Sequence, residues 1–269
     1  MTLTTAAGFA LASEGPFEWR RFAATLLGTA LVAAGSATFN MVVERELDRN
    51  MRRTANRPLP TGRIAPIPAA VYGAILALLG TGVLLLEVNA LTAAIGVGTF
   101  IAYVAVYTPM KTKSSLATLI GAIPGATPPV MGWTAAAGAI ELGGWVLFAI
   151  LFLWQLPHFL AIAWMYREDY RRAGMPLLTV NDPDGRSTAR QTLLYTVALL
   201  PVSIMPSAIG ITGRAHLVGA TLFGMLFLAA AWRFAREQTH PNARRLLLSS
   251  VLYLPAVLAV AVVDHLYFR

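Results

Sequence analysis

The sequence predicts an all-helical, multi-pass membrane protein that forms one domain over residues 1–269. Only 13% of its 269 residues are charged, 57% are apolar, and the mean hydropathy is +0.62, whereas an ordinary soluble domain has about 25% charged residues. The apolar residues also occur in blocks of about twenty, the length of helix that crosses the hydrocarbon layer of a bilayer. A water-soluble globule is therefore excluded.

Eight apolar stretches are long enough to span the membrane as complete helices. The residues before the first stretch, MTLTTAAGFALAS, are apolar but too short to span, and they lack the basic segment that begins a signal peptide. We interpret them as part of a truncated first helix, so that the complete bundle would have nine spans. The eight predicted spans cover 22–43, 66–86, 90–109, 116–139, 143–165, 191–212, 215–234 and 246–264.

The loops between these spans alternate in charge. Most of the 21 Lys and Arg residues lie in the loops 44–65, 110–115, 166–190 and 233–245. Because basic loops stay in the cytoplasm, these four are predicted on the cytoplasmic side of the membrane, with the intervening links and the C-terminal tail outside. The net charge of +8 therefore reflects membrane orientation, and no nucleic-acid partner is predicted. The absence of cysteine excludes a disulfide framework, a thiolate metal site and a cysteine nucleophile.

Polar residues are costly near the membrane, so clusters of them at helix ends are the candidate functional residues. In the first cluster Asn40, Glu44 and Asp48 follow one another at four-residue steps on one helical face, whereas Glu46 falls on another. Carboxylate and amide oxygens suit Mg²⁺, which leaves its other positions to water and substrate phosphates. A solvated helix end with intermixed Glu and Arg explains the same spacing about as well.

The second cluster follows the third span and contains Tyr107, Lys111 and Lys113. These two lysines are the only ones in the chain. Lysine binds phosphate as a compact point charge, so a tight loop with two of them is suited to an anionic head group. The residues alone somewhat favour the alternative, in which both lysines merely mark a cytoplasmic loop.

The third cluster begins inside the predicted 143–165 span. Pro157 is expected to kink the helix, and Gln155 and His158 must face the bundle interior or a cavity. A single histidine in a span is often only a hydrogen-bonded packing residue. Asp169 follows at the cytoplasmic end, where it either supplies a second carboxylate for a metal ion or pairs with Arg172.

Other polar or small residues are predicted to be structural. The segment from Gly121 to Gly132 is rich in glycine and proline and predicts a proline-broken helix, which either packs closely on its neighbours or lines a cavity, with close packing favoured. No phosphate-binding glycine loop and no nucleophile elbow occur. Four further residues lie near helix ends or in loops and are predicted at the surface: His216, His240, Asp264 and His265.

From about residue 20 to its C-terminus, the chain resembles the UbiA superfamily of membrane prenyltransferases, and in particular its haem-farnesylating branch. Two departures stand out: the first family helix is at most half present, and the second acidic motif is reduced to Asp169, with Ala173 at the following turn. The motifs that carry the resemblance are Asn40, Glu44, Asp48, Met51, Arg53, Thr54, Arg57, Pro58 and Leu59; Tyr107, Thr108, Pro109, Lys111, Gly121, Gly125, Pro128, Pro129, Gly132 and Trp133; and Trp154, Pro157, His158, Phe159, Asp169, Tyr170, Gly174 and Pro176.

The resemblance implies nine spans around a central cavity that opens laterally to lipid, with a diphosphate site under a cytoplasmic cap. It also implies farnesyl diphosphate and haem b as substrates, haem O as product, and a haem A synthase as a downstream partner. Haem b would be a substrate and not a prosthetic group. The implied residues are Asn40, Glu44, Asp48 and Asp169 for Mg²⁺; Arg53, Arg57, Lys111 and Lys113 for the diphosphate; Tyr107 and Arg172 for substrate binding; and His158 for orienting or ligating the haem or placing the water.

Two alternatives stay open at the level of sequence. One is a related prenyltransferase that acts on an aromatic acid or on a tetrapyrrole carboxylate. The other is a membrane transporter that uses the carboxylates as ion-coupling sites. A transporter is expected to carry its acids near the bilayer midplane within inverted repeats, whereas these acids collect at predicted cytoplasmic helix ends.

Overall fold

The computed structural model describes residues 1–267, which form α-helices, one π-helical segment and no β-strand. The last two residues of the predicted outer tail lie outside the described part. The helices are α1 (Thr2–Ala12), α2 (Trp19–Val43), α3 (Arg45–Arg49), α4 (Pro66–Glu87), α5 (Ala90–Ile101), α6 (Thr108–Met110), α7 (Ala117–Gly125), α8 (Thr127–Ala137), α9 (Leu142–Met165), α10 (Arg167–Arg172), α11 (Leu178–Asn181), α12 (Arg186–Ala208), α13 (Arg214–Arg236) and α14 (His240–Tyr267), and the π-helical segment Ala102–Tyr107 joins α5 to α6.

Within residues 1–267, seven helices are long and apolar enough to cross a membrane. They are α2, α4, the continuous stretch from α5 to α6, α9, α12, α13 and α14. Large apolar side chains on these helices face outward: Leu86 is 82% exposed and Ile67 is 77% exposed. Lipid tails cover such side chains in a bilayer. The prediction of an all-helical, multi-pass membrane protein is confirmed.

The predicted span 116–139 is not one continuous helix, because the structure divides it into α7 and α8 at Ala126. This confirms the prediction of a proline-broken helix in this stretch. Pro128 and Pro129 have no N–H group to donate to the carbonyls of the preceding turn. The carbonyl of Pro124 instead accepts a hydrogen bond from Thr127 Oγ1 at 2.8 Å. Hydropathy alone does not register this change of backbone pairing.

The first apolar residues form α1, which packs on α8. A Cβ atom built on Gly132 would lie 2.0 Å from the Thr5 carbonyl oxygen, and one on Gly8 would lie 2.1 Å from that of Pro129. The two backbones therefore approach as closely as only glycine permits. The helix pair α2–α4 uses the same device, since a Cβ on Gly80 would lie 2.7 Å from the Gly28 oxygen.

Contacts between distant residues bring the four basic loops together at one end of the bundle, which we call the basic end. Lys111 pairs with Glu44, Asp169 accepts from the backbone of Arg53, and Trp164 Nε1 donates to the Gln238 carbonyl. At the opposite end Arg20 pairs with Glu87 at 2.7 Å. The alternation of basic loops along the sequence therefore corresponds to two distinct ends of the fold.

The prediction that His216 and Asp264 lie at the surface is wrong. Their exposed fractions are 0% and 1%, and an oxygen of Asp264 accepts a 3.0 Å hydrogen bond from the backbone N–H of His216. This N–H belongs to the first turn of α13, where it has no partner within the helix. His265 is half-buried and His240 is exposed. Position near a helix end does not reveal that the ends of α13 and α14 cover each other.

Asp264→Ala is expected to lower the midpoint of thermal unfolding by several degrees in detergent, because it leaves a buried N–H unpaired at a cost of about 1–3 kcal/mol. His240→Ala, which changes an exposed residue, is the control and should leave the midpoint unchanged. Equal midpoints for the two variants would show that the buried contact contributes no stability.

Candidate active site

A cavity of about 350 Å³ lies at the basic end, and residues from all three polar clusters line it. The amide, acidic, cationic and tyrosine side chains that line it are Asn40, Glu44, Asp48, Arg53, Arg57, Tyr103, Tyr107, Lys111 and Tyr170. The remaining lining is mainly apolar: Met51, Ala117, Thr118, Phe159, Ile162, Ala163, Met175 and Leu177. The cavity thus joins a charged face to an apolar one.

Asn40, Glu44 and Asp48 lie on one face, as predicted, although α2 ends at Val43, before Glu44 and Asp48. The backbone N–H of Glu44 donates to Asn40 O at 2.9 Å, and that of Asp48 donates to Glu44 O at 2.8 Å. These two bonds preserve the four-residue step across the junction between α2 and α3. All three residues are buried, with Asp48 only 1% exposed.

Two cations neutralise the buried acids. Lys111 Nζ lies 2.7 Å from Glu44 Oε1, and Arg57 Nη1 lies 2.9 Å from Asp48 Oδ2. Lys111 Nζ also lies 3.2 Å from Asn40 Oδ1. A buried carboxylate without such a partner would be strongly destabilising, so the two cations allow the charged face to form inside the fold.

The π-helical segment positions Lys111. Such segments are rare and occur often at functional sites, because they shift the register of the helix that contains them. Immediately after this segment, Thr108 Oγ1 lies 2.9 Å from the backbone carbonyl oxygen of Tyr103 and 3.1 Å from Asn40 Oδ1, and both oxygens are hydrogen-bond acceptors. Lys111 Nζ lies 4.5 Å from the centre of the Tyr107 ring, a favourable cation–π contact.

Asp169 lies beside the cavity and does not line it. It pairs with Arg172, the alternative that the sequence left open, and its Oδ2 accepts from the backbone N–H of Arg53 at 3.4 Å. The guanidinium of Arg53 lies 5.3 Å from the centre of the Tyr166 ring. Asp169 therefore connects α10 to the loop that carries Arg53.

Three further predicted site residues do not line the cavity. Lys113 is exposed, and Arg172 is turned to Asp169 with 42% of its side chain exposed. His158 lies on another face of α9, where its Nδ1 is 2.8 Å from Ser250 Oγ. Its ring stacks on Trp154, with 4.9 Å between ring centres.

Tyr103 and most of the apolar lining residues were not predicted from the sequence; Met51 and Phe159 were named only as motif residues. Tyr103 lies four residues before Tyr107, and their rings are 5.1 Å apart. The same four-residue spacing that pointed to Asn40, Glu44 and Asp48 could have identified this tyrosine pair. Apolar residues such as Ile162 carry no comparable signal, because every span contains many of them.

The donor set of the cavity fits Mg²⁺. Glu44 Oε1 is buried, and its ion-pair partner is the Lys111 ammonium at 2.7 Å. Together with Asn40 and Asp48 it offers hard oxygen ligands, which Mg²⁺ prefers. Within residues 1–267 no three His, Cys, Asp or Glu side chains converge as a metal cage. This agrees with the usual binding of Mg²⁺ through one or two carboxylates plus substrate phosphates.

A second cavity, of about 480 Å³, lies at the opposite end of the bundle. Its lining includes Leu11, Trp133, Glu141, Ile211 and His265. None of the three polar clusters contributes to it, and Glu141 is engaged by Trp133 Nε1 at 3.1 Å. The charged cavity at the basic end is therefore the candidate active site.

Comparison with known proteins decides the family. The model of the UbiA prenyltransferase family matches residues 1–254. The chain belongs to the UbiA prenyltransferase family. This confirms the resemblance drawn from the motifs and places the chain among membrane transferases, which removes the transporter alternative.

Similar members of the UbiA family include three protoheme IX farnesyltransferases. The protein of Solibacter usitatus is 52% identical over 90% of this chain and 82% of its own length. The protein of Salinibacter ruber is 44% identical over 98% of this chain and 93% of its own length. The protein of Koribacter versatilis is 43% identical over 98% of this chain and 88% of its own length. The matched regions of the Salinibacter ruber and Koribacter versatilis proteins therefore extend through nearly the whole chain.

Solved structures confirm the UbiA fold. A digeranylgeranylglyceryl phosphate synthase superposes with a TM-score of 0.82 at 18% identity, covering 98% of this chain and 92% of its own. A UbiA homolog from Archaeoglobus fulgidus, bound to GPP and Mg²⁺, gives a TM-score of 0.63 at 15% identity, with coverages of 97% and 94%. The helix arrangement is thus shared at low sequence identity.

Proposed function

We propose that this chain transfers a farnesyl group from farnesyl diphosphate to a vinyl group of haem b, forming haem O and releasing diphosphate. The observation that carries the proposal is the buried face of Asn40, Glu44 and Asp48. This face pairs with Lys111 and Arg57 in a cavity whose other wall is apolar. The similarity to protoheme IX farnesyltransferases supports haem b as the acceptor.

The charged wall binds the diphosphate. Asn40, Glu44 and Asp48 would hold Mg²⁺, and Asp169, which lies beside the cavity and pairs with Arg172, is the proposed ligand of a second ion. Bound Mg²⁺ would supply positive charge that neutralises the leaving group. The cationic side chains of Arg53, Arg57 and Lys111 donate hydrogen bonds to the oxygens of the diphosphate. Three further residues assist: Tyr107 contacts the lysine, Arg172 holds Asp169, and Lys113 adds positive charge nearby.

The hard step is ionisation of the allylic C–O bond, in which the electron pair leaves with the diphosphate. The farnesyl cation then bonds to the terminal carbon of a haem vinyl group, water adds to the other vinyl carbon, and a proton is lost. Apolar lining residues such as Phe159, Ile162 and Leu177 keep water from the cation before this attack.

His158 is proposed to orient or ligate the haem through Nε2. Ser250 Oγ lies 2.6 Å from the Leu247 carbonyl, to which it donates its hydrogen. It must then accept from His158 Nδ1, which is 2.8 Å away. The Nε2 atom consequently keeps its lone pair, the state in which histidine binds iron or accepts a proton.

His158→Ala is expected to weaken haem b binding at least tenfold while changing farnesyl diphosphate binding little, because the ring lies outside the charged cavity. Separate titrations of haem by absorbance and of farnesyl diphosphate by calorimetry measure the two affinities. Equal loss of both, or loss of neither, would contradict the role in haem binding.

The finer cellular assignment is part of the same proposal. The basic end faces the cytoplasm of a bacterial inner membrane, following the positive-inside rule. Farnesyl diphosphate reaches the cavity with its tail in the bilayer, and haem O passes to a downstream haem A synthase.

An acceptor competition tests the function: labelled farnesyl diphosphate is offered with haem b, an aromatic acid and a tetrapyrrole carboxylate in one reaction. Label in haem supports the proposal, and label in another acceptor alone contradicts it.

A further inference from the structure

The amino and guanidinium groups of the candidate site pair with side-chain oxygens that a metal ion would also use. Lys111 Nζ lies 2.7 Å from Glu44 Oε1 and 3.2 Å from Asn40 Oδ1, and Arg57 Nη1 lies 2.9 Å from Asp48 Oδ2. Each member of the proposed metal face therefore already has a cationic partner.

We propose that Lys111 and Arg57 are resident counter-ions that keep a divalent cation off this face until a diphosphate is present, so that metal and diphosphate bind as a coupled pair. This inference rests on the proposed function, because it concerns the same site. It adds a condition on loading that the proposed function does not contain.

Burial makes the Lys111–Glu44 pair persistent. The Glu44 and Asp48 side chains are only 6% and 1% exposed, the Lys111 side chain is 15% exposed, and the Arg57 side chain is 36% exposed. Water therefore screens the Lys111–Glu44 pair poorly, in contrast to a surface salt bridge, and screens the Arg57–Asp48 pair in part. The Tyr107 ring, 4.5 Å from the ammonium, further stabilises Lys111 in this position.

A divalent cation that arrives alone meets an unfavourable site. It must separate Lys111 and Arg57 from their carboxylates, and both displaced cations then stay in the cavity next to the ion, where Arg53 also lies. The released ammonium and guanidinium have no acid left to pair with in the cavity lining, because Glu44 and Asp48 are its only carboxylates. Like charges in a poorly hydrated cavity repel strongly.

A diphosphate removes this obstacle. Its oxygens accept charge-assisted hydrogen bonds from the displaced ammonium and guanidinium, while the carboxylates turn to the metal. All charges then exchange partners and none is left unpaired. Since coupling between two ligands is reciprocal, loss of diphosphate after the reaction also weakens the hold on the metal, so both leave together.

The test uses the full chain in detergent, Mn²⁺ as the metal and inorganic diphosphate as the anion. Bound Mn²⁺ is counted by electron paramagnetic resonance, with free Mn²⁺ corrected for its complex with diphosphate. Wild-type protein is expected to bind Mn²⁺ weakly alone and at least about tenfold more tightly with diphosphate. Lys111→Gln is expected to bind Mn²⁺ alone about tenfold more tightly than wild type does, with a smaller gain on adding diphosphate.

Two variants serve as controls. Arg244→Gln makes the same charge change at an exposed residue of the basic end that lies outside the candidate site and should retain wild-type Mn²⁺ affinity. Lys111→Arg keeps a cation and should restore weak binding of the metal alone, which also shows that position 111 tolerates change. Strong coupling in Lys111→Gln, equal to that of wild type, would overturn the inference and leave the proposed function standing. Absence of Mn²⁺ binding to wild type even with diphosphate would overturn both.

Discussion

Asp48→Asn is expected to reduce haem O formation by at least about a hundredfold while leaving the protein folded. The substitution keeps the shape of a residue that is 1% exposed but removes the charge that pairs with Arg57 at 2.9 Å. In the proposed mechanism it also removes a carboxylate ligand of Mg²⁺, and electrostatic groups of this kind contribute factors of about 10²–10³ to turnover. The measurement is the initial rate with haem b and farnesyl diphosphate saturating.

Glu46→Gln is the matched control for Asp48→Asn. Glu46 lies two residues away, is exposed, and pairs with Arg45 and Arg49 on another face of α3. It should retain nearly the wild-type rate. A near-normal rate for Asp48→Asn, or an equal loss in both variants, would contradict the assignment of the metal face.

Gly132→Ala is expected to have the largest effect on folding. The added Cβ would lie 2.0 Å from the Thr5 oxygen and 2.7 Å from the Phe9 nitrogen, both backbone atoms of α1. Because backbone cannot rotate away as a side chain does, α1 must move off α8, and overpacking of this kind costs about 1–3 kcal/mol or more. The expected result is a midpoint of thermal unfolding lowered by several degrees, with reduced yield from membranes.

Gly98→Ala provides the control for that substitution. A Cβ on Gly98 meets no other atom within 4 Å, and the residue lies inside α5. Alanine is a better helix former than glycine, so this variant should be at least as stable as wild type. If Gly132→Ala were equally stable, the close packing of α1 on α8 would be contradicted.

The sequence predicts most of the fold because the membrane imposes a simple rule of length and polarity on each span. Pro124, Pro128 and Pro129 predict that the helix in the 116–139 stretch is broken, but hydropathy does not give the residue at which it divides, because it contains no information on hydrogen-bond pairing. The sequence cannot show that the ends of α13 and α14 bury His216 and Asp264. That burial depends on packing between helices far apart in sequence.

The candidate site is predictable to a similar extent. The face of Asn40, Glu44 and Asp48 follows from spacing within one helix. Which of two nearby lysines reaches it does not, because the π-helical segment changes the register just before them, and Lys111 enters while Lys113 stays exposed. The contact of Asp169 with the Arg53 backbone joins residues 116 positions apart, and only the folded chain reveals it.

Haem extracted from membranes that contain the wild-type chain gives the most direct test of the central claim. The membranes are supplied with haem b, farnesyl diphosphate and Mg²⁺, and the haems are identified by mass spectrometry. We expect the mass of haem O, and its absence when Mg²⁺ is chelated. Only unmodified haem b from folded wild-type protein with Mg²⁺ present would contradict the account.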